Sequence, residues 1–418
     1  MTEAARVKVA DRLFDRGRLA RLGDCLVIAV AVSLPWSTSA TGILIFLWLL
    51  AVLPTVSPAE VRRELANPAA GLAVALWALG IVGMAWGEGS FAERLYAIKG
   101  FHKLLVIPLL LIQFRRSDKG LWVVGGFLVS ATALLLLSWI THVWPWLFWP
   151  RIRAGLPVKD YITQSAEFLI CAFALGHLAV DAWRQDRRAV SLAFGALGIL
   201  FLGNVAFVVT GRTSLAAFPV LLILFGLQRF GWKGTVALAL AGGVLAAVAW
   251  ASSPYLRMRS LGVIDEIHRY QIEHAATSSG YRLEFWKKSV EFVAAAPLVG
   301  HGTGSIETLF RRAAVGEGMS AVITGNPHNQ TLEIAIQFGL IGVSLLYAMW
   351  IAHVLMFRGN GLAAWLGMAL VAQGIVGSLF LSYLFDFTTG WIYMFGVGVL
   401  GGMALAQKAR GCDPGHGI

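Results

Sequence analysis

Apolar residues in this chain do not alternate with polar ones. They run on in long blocks separated by short basic or turn-forming stretches. Crossing a bilayer takes about 20 residues of helix, and on that length the blocks resolve into about twelve candidate spans. They cover 24–38, 40–55, 69–86, 97–114, 119–142, 162–182, 189–209, 213–230, 234–252, 329–357, 361–384 and 387–407. The first two are short and predict a tight hairpin. One interval departs from the pattern. Residues 253–328 form a long polar stretch holding Arg257, Arg259, Arg269, Arg282, Lys287, Lys288, Arg311 and Arg312. The expectation is an all-α polytopic membrane protein with one membrane domain over 1–418. Residues 253–328 are a large helical loop between spans nine and ten, before the last three helices.

Inside that loop, 281–295 has helical spacing, with Phe285, Trp286, Phe292 and Val293 on one side and Lys287, Lys288 and Glu291 on another. Ser278 or Ser279 is placed to cap it, and Pro297 follows its end. Arg282 then falls in the first turn, where free backbone N–H groups favour an anion beside it. Trp286 is expected to pack toward the membrane.

Composition agrees. The chain is 57% hydrophobic and 14% charged, against about 25% charged in soluble domains. Trp anchors helices at bilayer interfaces and Gly allows close helix approach, and the chain has 16 Trp and 46 Gly. The net charge of +11 does not point to nucleic acid, because cytoplasmic loops of membrane proteins are basic anyway. Basic clusters recur on one side: the N-terminus (Arg6, Lys8, Arg12, Arg16, Arg18, Arg21), then Arg62 and Arg63, Arg115, Arg116 and Lys119, then Arg184, Arg187 and Arg188. Arg229 and Lys233, Arg358, and Lys408 and Arg410 complete the series. Positive-inside bias then puts both termini in the cytoplasm and the long loop outside. Ser37–Ala40 resembles a leader-cleavage site, but the basic region before it is long and the segment is expected to stay as a span. Cys25, Cys171 and Cys412 lie outside the loop and imply no disulfide framework.

Several candidate sites follow. Gly300-His301-Gly302-Thr303-Gly304 lacks the strand-then-helix context of a nucleotide loop and predicts a tight turn. Asp265, Glu266, His268, Glu273 and His274 match no metal-ligand spacing; a solvated helical face is expected, and no metal or other cofactor. Most loop cations have a plain reading as partners of Glu266, Glu273, Glu284, Glu291, Glu307 and Glu317. Arg212 does not, because apolar runs flank it closely. A membrane-edge Arg snorkels or points into a shared cavity, and the second case predicts a substrate role. His328 lies where the polar loop re-enters the membrane, beside Pro327 and Asn329. Neutral His is the usual proton acceptor near pH 7, although a lone interface His is more often a capping or hydrogen-bonding residue.

Gly211-Arg212-Thr213, Ser279-Gly280-Tyr281-Arg282 with Trp286, Pro297-Leu298-Val299-Gly300-His301-Gly302, and Pro327-His328-Asn329 with Glu333 and Gly339 together resemble the O-antigen ligase and polymerase superfamily, its ligases most of all. The resemblance implies a metal-independent, inverting, GT-C-like glycosyltransferase. Its donor is an O-antigen glycan on undecaprenyl diphosphate, its acceptor lipid A–core oligosaccharide, and it works among membrane lipids at the periplasmic face of the inner membrane. The resemblance carries catalytic roles onto Arg212, Arg282 and His328. Guanidinium groups bind phosphate bidentately and stay charged, so they suit a diphosphate leaving group. His328 would take the proton of the acceptor hydroxyl.

Outside these motifs, Arg94, Lys99, Lys103, Arg151 and Arg153 are expected to meet substrate phosphates, and Asn329 to bind substrate beside His328. Trp144-Pro145-Trp146-Leu147-Phe148-Trp149 reads as an interfacial anchor or as the lip of a lipid entrance. Asp386 reads as a helix cap or as support for a site residue. A polymerase or a protein O-oligosaccharyltransferase of the same superfamily differs from a ligase only in the acceptor. A lipid-linked glycan transporter would want charged or broken helices at mid-membrane, which the spans mostly lack.

Overall fold

The computed structural model describes residues 15–147, 153–273, 276–316 and 318–411. Among these, regular structure is helical, apart from one isolated bridge between Arg153 and Leu156. The protein is a polytopic membrane protein. Helices α1 (Arg16–Ser33) and α2 (Thr38–Val52) form the expected tight hairpin, closed by a 2.9 Å contact between the Ser33 and Thr41 hydroxyls. A short amphipathic α3 (Pro58–Leu65) leads into α4 (Pro68–Val82). Then α5 (Phe91–His102) and α6 (Val106–Arg116) run together as one apolar segment. Helices α7 (Gly120–Val143), α8 (Tyr161–Arg184), α9 (Arg188–Phe207) and α10 (Arg212–Ser252) follow. The polar interval folds into α11 (Pro254–Glu273), α12 (Ser278–Ala295) and α13 (Ile306–Arg312). The chain closes with α14 (Gln330–Met356), α15 (Leu362–Ser378) and α16 (Phe387–Gly411).

Nine segments among the described residues are long and apolar enough to cross a membrane. The sequence pattern predicts about twelve; α10 covers two of those blocks, and α1 and the shorter α15 lie on two more without being counted among the nine. Helix α10 breaks at Gly231, whose φ is +67°. Its halves fold back on each other, with Gly226 against Thr235 and Gly242 against Leu222.

Helix α14 breaks the same way at Gly339, φ +55°. Thr331 Oγ1 lies 3.3 Å from Tyr347 Oη, although sixteen residues of straight helix would separate them by about 24 Å. Segment 330–338 is therefore a re-entrant arm packed along 340–356. The cause is local. A Cβ on Gly339 would fall 2.5 Å from Pro297 O, and the turn is locked by Leu340 N–H donating to that carbonyl at 2.8 Å. The expected tight turn at Gly300–Gly304 clamps the other side: His301 N–H donates to Ile336 O and Gly302 N–H to Gln337 O, both at 2.8 Å. Gly300, Gly302 and Gly304 all have positive φ. This clamp fixes the arm, and the arm carries the Asn326–Asn329 loop at its start.

Candidate active site

Arg212 is the first residue of α10, with Gly211 as the N-cap. Its Nη1 and Nη2 donate to the two carboxylate oxygens of Glu266 on α11 at 2.9 and 2.6 Å, and Nη1 also reaches Ser279 Oγ on α12 at 3.0 Å. Glu266 accepts further bonds from Ser279 N–H at 2.9 Å and Ser279 Oγ at 2.6 Å. The Arg212 fork above all, with the Ser279 donors, brings the Glu266 pKa down to about 2. The plain ion-pair reading therefore holds for this arginine more than its position suggested. The pair ties the start of α10 to the interior of α11 and, through Ser279, to the start of α12. Arg212 Nε remains buried without a partner.

Arg282 lies in the second turn of α12, because the helix starts at Ser278, three residues before the predicted start. Thr277, and not Ser278 or Ser279, is its N-cap, taking the Gly280 N–H at 3.0 Å. Arg282 forms no hydrogen bond or ion pair with any described residue. Burial lowers its pKa, and the Arg212 and Arg259 charges act the same way against Tyr161 and Glu266. It stays charged all the same, because guanidinium does not deprotonate in proteins.

His328 faces the same helix. Its ring stacks on Phe285 at 6.2 Å between centroids, and Trp286 Nε1–H donates to Pro327 O at 3.1 Å. Arg282, Phe285 and Trp286 share one helical face by their i, i+3, i+4 spacing. Trp286 thus pins the histidine loop, where the sequence suggested packing toward the membrane. The His328 N–H donates to Asn326 Oδ1 at 2.7 Å, and Ser382 Oγ–H donates to the same oxygen at 2.7 Å. This holds His328 at φ +53°, a sparsely populated conformation for a side chain of this size and one that clusters at functional sites. Its Nδ1 is buried without a partner. Burial first, and the Arg282 charge second, keep the imidazole pKa below its ordinary value. The ring is therefore neutral at pH 7 and able to accept a proton.

Residues 197–347 match the family model described as O-antigen ligase (Wzy_C). That stretch of the chain is similar to the O-antigen ligase family. Members of that family are glycosyltransferase-like ligases and polymerases. No curated protein matches the chain.

Arg212, Glu266, Arg282 and His328 all lie within the matched residues 197–347, and the structure gathers them. The other expected contacts are dispersed. Arg94 donates to Gly89 O and Met84 O, both at 2.8 Å, and closes the end of α4. Lys103 is buried, with Nζ on Phe385 O and Asp386 O at 2.8 and 2.7 Å. Lys99 is exposed, its Nζ 4.8 Å from the Tyr96 ring centre. Arg153 is exposed in the bridge to Leu156. Asn329 is the N-cap of α14 and donates to Leu379 O at 3.0 Å. Arg151 lies outside the described residues, as do Phe148, Trp149, His274 and Glu317. Asp386 offers its carbonyl to Lys103; burial raises its side-chain pKa.

Sequence reading missed Asn326 and Tyr161, and gave neither Ser279 nor Arg259 its place beside Arg212. One signal was available: Leu256, Arg259, Gly262, Glu266 and Tyr270 recur at helical spacing and form the inner face of α11.

Proposed function

We propose that this chain is an O-antigen ligase. It moves O-antigen polysaccharide from undecaprenyl diphosphate onto lipid A–core oligosaccharide at the periplasmic face of the bacterial inner membrane. The observation that carries this reading is a half-buried Arg282 without a described partner, beside a half-buried His328 whose Nδ1 is buried and unpartnered, both within the matched residues. Partial burial of a cation without a partner is costly to a fold, and a diphosphate would relieve that cost. Arg282 is the donor's main ligand. Arg212, its fork held by Glu266, adds fixed charge from the side. Such preorganised cations stabilise charge as it develops on the leaving oxygen, the role a divalent metal fills in other transferases.

The acceptor hydroxyl attacks the anomeric carbon and gives its proton to His328. The bond from that carbon to the diphosphate oxygen breaks, and its electron pair leaves with undecaprenyl diphosphate. Direct displacement inverts the anomeric centre. Both termini are cytoplasmic and 253–328 is the periplasmic loop of a single membrane domain. The recurrence of Arg62 and Arg63, Arg115 and Arg116, Arg184 and Arg187, and Lys408 and Arg410 at span ends on one side supports that orientation.

The test is transfer by the purified protein from lipid-linked glycan to lipid A–core. Glycan on the core supports the ligase, and its loss in Arg212→Ala, Arg282→Ala and His328→Ala supports the site. Chains lengthening on undecaprenyl diphosphate instead would show a polymerase, and glycan on a serine of an acceptor protein would show an O-oligosaccharyltransferase. Near-normal transfer by all three variants would place the chemistry elsewhere.

A further inference from the structure

Helix α11 has two faces. Its inner stripe packs on the site: Leu256 is buried, Gly262 sits under the Arg212 guanidinium, Glu266 holds Arg212, and Tyr270 donates to Glu284 at 2.8 Å. Arg259 belongs to that stripe. Its guanidinium carbon lies 4.5 Å from the centre of the Tyr161 ring, and its Nε donates to Thr210 O at 3.3 Å, two residues before Arg212. Neither terminal nitrogen of Arg259 has a hydrogen bond to a described residue. Stacking on Tyr161 fixes the plane of the fork and leaves its edge open, an arrangement suited to planar phosphate recognition.

Charge points the same way. Glu266 is the one carboxylate that the described residues bond to any of Arg212, Arg259 and Arg282. Three guanidiniums against one carboxylate leave two positive charges uncompensated. A lipid-linked sugar diphosphate, a diester at both phosphates, carries two negative charges. Arg212 and Arg282 alone would leave only one positive charge against it.

We propose that Arg259 is a third guanidinium for the donor's diphosphate, reaching it with its two terminal nitrogens. This rests on the donor named above. Arg259 binds donor and does not touch the acceptor hydroxyl, so its loss falls on donor affinity.

The test uses the full chain in lipid nanodiscs, with undecaprenyl diphosphate as binding probe and lipid-linked glycan as donor in the transfer assay. Arg259→Gln is expected to raise Kd for undecaprenyl diphosphate and KM for donor about tenfold, the loss of a charge-assisted contact, with kcat and acceptor KM within about twofold. Arg259→Lys recovers part of the loss. Arg269→Gln removes the same charge from the outer face of α11, where Arg269 pairs with Glu273, and leaves both constants unchanged. The proposal is overturned if Arg259→Gln binds like wild type. It is also overturned if Arg269→Gln weakens binding equally, or if donor and acceptor KM rise together with a lower Tm. Wild-type protein that fails to bind the probe overturns the donor assignment itself, and the Arg259 role with it.

Discussion

Arg94 and Arg282 put one side chain to opposite uses. Both are cations in polar segments beside apolar helices. Arg94 places two donors on backbone carbonyls at the end of α4, and its own backbone lies against Gly304. Its guanidinium closes a helix end. Arg282 is half-buried, donates to nothing among the described residues, and feels the charges of Arg212, Arg259 and Glu266. Clusters of basic residues do not mark a site; a partly buried cation whose donors the fold leaves unused does. The same contrast separates Lys103, spent on Phe385 O and Asp386 O, from Arg259.

The comparison is broken most severely at the group Arg282 faces. His328→Ala is expected to lower kcat about 10²- to 10⁴-fold, the usual contribution of a positioned base, with Tm little changed. Single-turnover transfer checks it. Next, Arg282→Ala is expected to cost about 10²-fold in kcat/KM with Tm preserved. Arg94→Ala does the reverse: it strips two carbonyls of their donors, at about 1–3 kcal/mol each, and lowers Tm while the folded fraction keeps its activity. Thermal unfolding beside specific activity separates the two.

A smaller effect sharpens the pairing of Arg282 with His328. Burial and the Arg282 charge hold the imidazole pKa below its ordinary value of about 6.5. Wild-type kcat/KM is therefore level at pH 7 and falls as pH drops through the imidazole pKa. Arg282→Gln removes the positive neighbour, the protonated ring is less disfavoured, and the acid limb moves to higher pH. A limb that stays put, or moves down, breaks the pairing. The smallest effect concerns the loop anchor. Trp286→Phe keeps the ring but loses the bond to Pro327 O, worth about 1 kcal/mol, and is expected to lower kcat a few-fold.

Much of this fold was legible in block length alone. The break in α14 was not, because apolar content is alike on both sides of Gly339. The cause is the backbone of Pro297 and Leu298 from another segment. Arg212, Arg282 and His328 were legible through short motifs at chemically telling places. The Arg212–Glu266 pair and the orientation of Arg259 were not, since both depend on how α11 rests against α10 and α12. Arg94, Lys99, Lys103 and Arg153 looked like site cations because sequence does not show which backbone carbonyls, rings or solvent will receive them. Thr277 displaced the serines as cap because its hydroxyl meets the Gly280 N–H while Ser279 is engaged by Glu266.

The most direct measurement is the affinity of wild type, Arg282→Ala and Arg94→Ala for undecaprenyl diphosphate in nanodiscs, each corrected for its folded fraction. The expected result is a Kd raised at least about tenfold in Arg282→Ala and a wild-type Kd in Arg94→Ala. Equal affinity for wild type and Arg282→Ala, or a loss confined to Arg94→Ala, would contradict a diphosphate site built on Arg282.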